Sequence, residues 1–121
     1  MIYITGDKHA DFYEVCCFCK KEKTNISDLM IILGDAGINY FSDLRDHKLK
    51  KELSECNITF FCVYGNHEER PEKIKTYKTK EFHNGIVYYE EEYPNILFAK
   101  DGEIYNLNNK SVLVIGGAYS V

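Results

Sequence analysis

Three short apolar segments, each ended by glycine and a polar residue, constrain the fold of this chain more than any other feature of its sequence. The segments are residues 1–5, 29–33 and 58–64, followed by Gly6-Asp7, Gly34-Asp35 and Gly65-Asn66. Runs of this length, rich in β-branched and aromatic residues and bounded by turn signals, are typical of buried strands. We therefore predict three buried strands, and we expect the middle one to be covered by helices on both faces.

Amphipathic patterns predict a helix after each of the first two strands. The first helix begins near Asp11, where Glu14 three residues later predicts a capping box, and it ends in the polar residues 20–25. The second runs from Ser42 to about residue 55. This alternation of three strands and two helices is the order that builds a parallel sheet with right-handed crossovers.

After Pro71 the pattern changes to short strands separated by turn signals. Strands are predicted over residues 86–89, 96–99, 103–107 and 111–115, with turns at 93–95, 101–102 and 108–109. This spacing indicates hairpins and a meander, part of it in a second sheet. The sequence contains no repeat and no low-complexity linker, so we expect residues 1–121 to form a single domain.

Composition and charge argue against several classes of partner. The 121 residues carry a net charge of −4 with a pI near 5.5, whereas a nucleic-acid surface needs clustered Lys and Arg. The apolar runs are too short to span a bilayer, and the first residues lack the basic start of a signal peptide. We expect a cytoplasmic protein with no nucleic-acid or membrane surface, in which an anionic substrate needs a local source of positive charge.

The five cysteines do not follow the pattern of a disulfide framework. Their count is odd, and Cys16, Cys17 and Cys19 crowd into the first predicted helix. Cys16 and Cys19 form a C-x-x-C, but no second pair stands at the spacing of a zinc site. We expect reduced thiols, and we favour buried cysteines on a helix face over zinc ligation.

Residues able to bind a metal follow each of the three predicted strands. Asp7 and His9 follow the first strand, Asp35 the second, and Asn66 and His67 the third. Because ligands bind beyond the carboxyl ends of parallel strands, we expect these side chains to converge. The glycine before each ligand permits the φ values and the close backbone approach that such turns need. A carboxylate such as Asp35 can bridge two cations, as a two-metal mechanism requires.

The ordered combination of Gly-Asp-x-His, Gly-Asp and Gly-Asn-His-Glu, each at a strand end, resembles the calcineurin-like metallophosphoesterases. The later Gly-Gly-Ala at residues 116–118, after another apolar strand, is also similar to that family. The resemblance implies an α/β fold, a β-sandwich flanked by helices with a mostly parallel first sheet. It also implies hydrolysis of a phosphate mono- or diester with two divalent ions, for which manganese, iron or zinc would fit.

The resemblance also implies a role for each of the strand-end residues. Asp7 and His9 would hold the first metal, Asp35 would bridge, Asn66 would hold the second, and His67 would protonate the leaving group. Members of the family normally supply one more histidine and then a Gly-His-x-His, which do not occur before Val121. We therefore expect an N-terminal half of the domain, incomplete at its C-terminus, with at most one firmly bound ion and little or no turnover.

The roles of several other residues are open to interpretation from the sequence. Ile38 stands where the family often has an aspartate that orients the catalytic histidine, and Asn39 is a possible substitute. Arg70 would either clamp a substrate phosphate or form a salt bridge with a neighbouring glutamate. His47 is predicted on a solvated helix face. His83 is predicted in a surface turn, and it is the best local candidate for a substitute ligand.

A rival function from a different class also fits the sequence. If the chain lacks half of its domain, the sheet that this half would cover is exposed, and uncovered edges and apolar faces drive pairing. The chain would then be a catalytically silent α/β fragment that acts by association with itself or a partner. Metal-dependent hydrolysis, rather than association, is the interpretation that the ordered motifs favour.

Overall fold

The computed structural model describes residues 1–41, 44–65 and 69–116. Its first half alternates strands and helices, namely β1 (Ile2–Thr5), α1 (Tyr13–Glu22), β2 (Leu29–Leu33), α2 (Leu44–Glu55) and β3 (Thr59–Val63). Its second half has a 3-10 turn (Pro71–Lys73), β4 (Lys78–Phe82), β5 (Gly85–Glu90), β6 (Tyr93–Ala99), β7 (Ile104–Leu107) and β8 (Lys110–Leu113). The three predicted strands and the two predicted helices of the first half are therefore confirmed.

Six of the strands form one sheet in the order β1-β2-β3-β6-β5-β4. The pairs β1–β2, β2–β3 and β3–β6 are parallel, whereas β5 pairs antiparallel with both β6 and β4. The hairpin of β7 and β8 is a separate two-stranded sheet. The predicted α/β class, with a mostly parallel first sheet and a second sheet, is confirmed.

Both helices pack on one face of the large sheet. Side chains of α1 and α2, including Val15 and Leu53, share a buried cluster with Ile32 and Phe60 of the sheet. The opposite face packs against the β7–β8 hairpin, whose Tyr105 is fully buried. The expectation of helices on both faces is therefore wrong. Consecutive parallel strands laid down in one direction, with right-handed crossovers, place both connecting helices on the same side.

Two strand assignments in the second half differ from the prediction. β4 was not predicted because three of its five residues are charged and it has no alternation of apolar and polar residues, which is typical of an edge strand protected from further pairing. The predicted turn at residues 93–95 belongs to β6 instead. Pro94 is tolerated there because it lies at the start of the strand, beside a register shift at Tyr89 and Glu90.

Asn95 is buried because its side chain has backbone partners. Its Nδ2 donates to the carbonyls of Leu53 at 3.1 Å and Ile58 at 2.9 Å. These bonds tie the last turn of α2 and the approach to β3 onto β6. From the sequence, Asn95 was predicted to lie in a turn. In the structure its side chain instead links a helix to two strands.

The start of α1 also differs from the prediction. The cap residue is Phe12, which makes no side-chain cap hydrogen bond. Asp11 instead accepts a hydrogen bond from the Tyr13 N–H at 3.3 Å, and Glu14 closes no capping box with it. Ser42, the predicted cap of α2, lies outside the described residues.

Within residues 1–41, 44–65 and 69–116, neither helix has the length and apolar character needed to cross a membrane.

A buried ion pair joins α2 to β5. Lys50 Nζ lies 2.5 Å from Glu90 Oε1, and both side chains are less than a tenth exposed. The Thr76 hydroxyl donates to the other carboxylate oxygen of Glu90 at 2.6 Å. Burial alone would raise the pKa of Glu90, but the bonds from Lys50 and Thr76 outweigh it and hold the pKa below its usual range. Lys50 is therefore buried on α2, where Glu90 supplies its countercharge.

Glu90→Gln is expected to lower the free energy of unfolding by about 3–5 kcal/mol, because it leaves the Lys50 ammonium buried without a countercharge. Urea denaturation measures this loss. The carboxylate of Glu90 stabilises the fold fully above its unfolded-state pKa of about 4.3, and this contribution is lost as pH falls through the lower folded-state pKa. The difference between the wild type and the variant should therefore shrink in acid.

The matched control is Glu91→Gln. Glu91 directly follows Glu90, and its exposed carboxylate contacts the exposed Lys78 of β4. Exposed pairs contribute little, so this variant should unfold close to the wild type. Equal destabilisation by Glu90→Gln and Glu91→Gln would contradict a structural role for the buried pair.

Candidate metal centre

Backbone hydrogen bonds join the loops that follow β1 and β2. The N–H groups of Lys8 and His9 both donate to the Asp35 carbonyl, at 3.0 and 2.8 Å, and the Ala10 N–H donates to the Ala36 carbonyl at 2.9 Å. Because β1 and β2 are parallel neighbours, their carboxyl ends already lie at the same edge of the sheet. The added bonds hold the loop that carries His9 against the loop that carries Asp35.

The side chains of Asp7, His9 and Asp35 form the candidate metal centre. Their donor atoms all lie within 4.8 Å of one another, and no other such group of three occurs among residues 1–41, 44–65 and 69–116. His9 Nε2 lies 2.8 Å from Asp7 Oδ2, and these two side chains are 62% and 59% exposed. Donors on one ion stand roughly 2.0–2.2 Å from it, hence up to about 4 Å apart. Small side-chain rotations would therefore bring all three onto one cation.

Left-handed backbone occurs at several positions in these two loops. The φ angles are +46° at His9, +69° at Ala10, +43° at Asp35 and +85° at Gly34. Non-glycine residues in this region cost on the order of 1–3 kcal/mol each, and they cluster at functional sites. The glycine requirement is confirmed for Gly34. It is wrong for Gly6, which has no positive φ and where an added Cβ would meet nothing within 4 Å.

The end of β3 approaches the Asp35 carboxylate. A Cβ added at Gly65 would lie 1.9 Å from Asp35 Oδ1 and 2.3 Å from the Asp35 nitrogen. Only glycine permits this approach, so the predicted role of the glycine after the third strand is confirmed. Asn66 and His67, predicted to bind the second ion and to protonate the leaving group, lie outside the described residues.

The chain beyond β8 returns to the end of β3. A Cβ at Gly116 would lie 2.6 Å from the Tyr64 carbonyl oxygen, and the Gly116 N–H donates to Asp101 Oδ1 at 3.1 Å. In the sequence this glycine was notable only as the start of Gly-Gly-Ala. Its close approach brings the end of the described chain toward the same edge as the candidate metal centre. Gly117 and Ala118 lie outside the described residues.

Arg70 is held by an ion pair and an aromatic ring. Its Nη1 donates to Asp101 Oδ2 at 2.5 Å, and its guanidinium carbon lies 4.6 Å from the centroid of the Tyr64 ring. The bond to Asp101 raises the pKa of Arg70. A salt bridge was one of the two predicted interpretations, and the partner that the described residues show is Asp101. Glu72 instead accepts a hydrogen bond from the Tyr64 hydroxyl at 2.9 Å.

Ile38 and Asn39, which stand where the family often has its orienting aspartate, are both buried. Ile38 is fully buried in the core shared with the helices. Asn39 is 5% exposed with φ +64°, and its Nδ2 donates to the Tyr77 hydroxyl at 2.8 Å. The ring centroid of Tyr77 lies 5.2 Å from Lys50 Nζ, and burial raises the pKa of Tyr77. Sequence reasoning missed Tyr77, because no local pattern marks a residue that links Asn39 to the buried ion pair.

The two remaining histidines lie on the surface, as predicted. His47 is exposed on α2, and His83 is exposed in the turn between β4 and β5. β4 is separated from β2 by four strand spacings, which is about 19 Å at roughly 4.8 Å per spacing. His83 therefore does not reach Asp35, and it cannot substitute for a missing ligand in this arrangement.

Gly65→Ala is expected to destabilise the protein by about 1–3 kcal/mol, because the new methyl group must displace Asp35 or the end of β3. The matched control is Gly6→Ala in the neighbouring loop, where there is space for a Cβ, and its change should stay within about 0.5 kcal/mol. Urea denaturation of both variants measures the difference. Equal stability of the two variants would show that β3 does not approach Asp35 so closely.

Comparison with known proteins agrees with this geometry. A family model described as calcineurin-like phosphoesterase matches residues 1–120. Searches of curated proteins and of solved structures gave no match. The family match spans the chain, and it corresponds to the N-terminal portion of the family's domain. On this evidence, the chain belongs to the calcineurin-like phosphoesterase family.

Proposed function

We propose that this chain binds a divalent cation through Asp7, His9 and Asp35 and serves in the hydrolysis of phosphate esters. The observation that carries the proposal is the convergence of these three donors within 4.8 Å at the ends of two parallel strands. The family match supports the same chemistry, because it identifies a metal-dependent phosphoesterase family. Nitrogen and carboxylate donors together suit manganese, iron or zinc.

The chain's own residues would divide the work as follows. Asp7 and His9 would hold the cation together with Asp35, and the Asp35 carboxylate would also be available to a neighbouring ion. A bound cation supplies Lewis-acid polarisation of a phosphoryl oxygen and neutralises charge in the transition state. Asn66 would contribute to the second ion and His67 would protonate the departing oxygen, both by resemblance to the family. The cation also supplies the positive charge that an acidic chain needs to bind a phosphate.

Arg70 is the proposed contact for the substrate phosphate. Its side chain is 33% exposed, and the contacts with Asp101 and Tyr64 fix its position near the end of β3. A guanidinium has five N–H donors, so an ion pair through Nη1 is compatible with a second, bidentate contact to phosphate. The type of phosphorylated substrate stays open. We also propose a cytoplasmic location, where the reducing environment keeps most cysteines as free thiols, the form in which all five stand here.

Calorimetric titration with MnCl₂ is expected to show one firm site in the wild type. Asp35→Asn should weaken binding by roughly ten-fold or more, since loss of a charged ligand costs at least as much as loss of an outer-shell partner. Glu81→Gln is the matched control, because Glu81 is an exposed carboxylate on β4. It should bind Mn²⁺ like the wild type.

Two results would contradict this proposal. Unchanged Mn²⁺ affinity in Asp35→Asn would remove the metal site from the ends of β1 and β2, and two tight sites would contradict the expected single ion. Hydrolysis of p-nitrophenyl phosphate and bis(p-nitrophenyl) phosphate, followed in the same samples, separates monoester from diester activity. We expect little turnover, and any turnover should require the metal and Asp35.

A second candidate function, self-association without catalysis, is favoured by the exposed apolar side chains near β1. Ile4 and Leu33 are 65% and 55% exposed, and the register places them on the same face as Ile31. β1 is also an edge strand, so its outer backbone groups can pair with a second copy. Light scattering of the titration samples distinguishes the candidates. A dimer with no Mn²⁺ binding favours association, and a Mn²⁺-binding monomer favours the metal site.

A further inference from the structure

Two cysteines, one in α1 and one directly after α2, lie in direct contact. Cys16 stands within α1 and Cys56 directly follows α2, yet their Sγ atoms are 2.8 Å apart across a sequence separation of 40. A disulfide bond measures about 2.05 Å, so the sulfur atoms need to approach by roughly 0.8 Å to form one. Cys16 and Cys56 also belong to the same packing layer, on the helical face of the large sheet.

A solvent-open cleft gives small molecules access to this pair. The cleft has a volume of about 710 Å³, and its lining includes Cys16, Cys56 and the charged residues Lys20 and Glu52. Both thiols are half-buried. By contrast, Cys62 is buried within β3. The pair therefore combines two features that a redox-active site needs, which are contact between the sulfur atoms and a path for the oxidant.

We propose that Cys16 and Cys56 are a reversible disulfide site that takes a low-molecular-weight disulfide as its oxidant. This site is separate from the candidate metal centre and does not depend on the proposed hydrolysis. The C-x-x-C of Cys16 and Cys19 is not the reactive pair. Cys16 is instead paired with a cysteine that lies far away in the sequence.

The exchange proceeds in two balanced steps. The Cys16 thiolate attacks one sulfur of the small disulfide, whose S–S bond breaks, and one small thiol leaves. The Cys56 thiolate then attacks the Cys16 sulfur, which forms the protein disulfide and releases the second small thiol. Overall, two protein thiols are oxidised, one small disulfide is reduced to two thiols, and the two protons end on the released thiols.

The environment of Cys56 supports this order. Burial, followed by the hydrogen bond and charge of Cys16, raises the pKa of Cys56 to about 12, while Lys20 opposes the rise. Cys56 is therefore a poor first nucleophile. Once Cys16 is in a mixed disulfide, it carries no S–H and no thiolate charge. Its charge then no longer adds to the raised pKa of Cys56, which favours the attack of Cys56 in the second step.

The test uses the Cys17→Ser chain, which lacks the exposed cysteine that would capture the reagent. This variant keeps four of the five cysteines. The folded protein is treated with oxidised glutathione, quenched in acid, alkylated under denaturing conditions and analysed by intact mass and peptide mapping. We expect loss of two hydrogen atoms, two fewer alkylated thiols, and a crosslinked peptide that contains Cys16 and Cys56. Dithiothreitol should reverse all three changes.

The control is Cys17→Ser/Cys56→Ser, which should yield a glutathione adduct at Cys16 or no product, without an internal crosslink. The oxidised Cys17→Ser protein should also melt at a higher temperature than its reduced form, because the crosslink restricts the unfolded chain. Separate glutathione adducts on Cys16 and Cys56, or thiols that stay reduced while circular dichroism shows the native fold, would overturn the proposal. A crosslink that forms only after unfolding in urea would overturn it as well.

Discussion

The Asp35 residue holds together the edge of the sheet on which the proposed chemistry depends. Its carbonyl accepts two N–H groups from the loop after β1, and its carboxylate lies against Gly65 at the end of β3. Parallel pairing of three strands brings their ends to one edge, but it does not by itself set the distance between side chains. The backbone bonds of Asp35 set that distance. Asp7 and His9 consequently stand within reach of a cation shared with Asp35.

Buried polar contacts connect this edge of the sheet to the rest of the fold. Asn39, in the loop that continues from Asp35, donates to the Tyr77 hydroxyl, and the Tyr77 ring centroid lies 5.2 Å from Nζ of Lys50 in the buried ion pair with Glu90. A loop that carries a candidate ligand is thus linked to α2 and to β5 by buried polar contacts. Such networks rigidify a structure when every member has a partner. No buried side-chain nitrogen or oxygen among the described residues lacks a hydrogen-bond partner.

Much of this arrangement could be predicted from the sequence, because its first half has strong local signals. The continuous apolar run of β2 and the glycines that follow β2 and β3 locate the strand ends directly. Pairings between distant residues leave no such signal. The ion pair of Arg70 with Asp101, the burial of Lys50 and the strand position of Asn95 all depend on partners from other elements. β4 was missed for the opposite reason, since its charges suit an edge rather than a core.

The most direct measurement is a crystal structure of the protein soaked in MnCl₂, with anomalous differences recorded to locate the ion. The predicted result is a peak within coordination distance of Asp7, His9 and Asp35, at the ends of β1 and β2. A peak elsewhere, or side chains of these three residues that diverge from one another, would contradict the proposed metal centre. It would also leave the family match without a site for its chemistry in this chain.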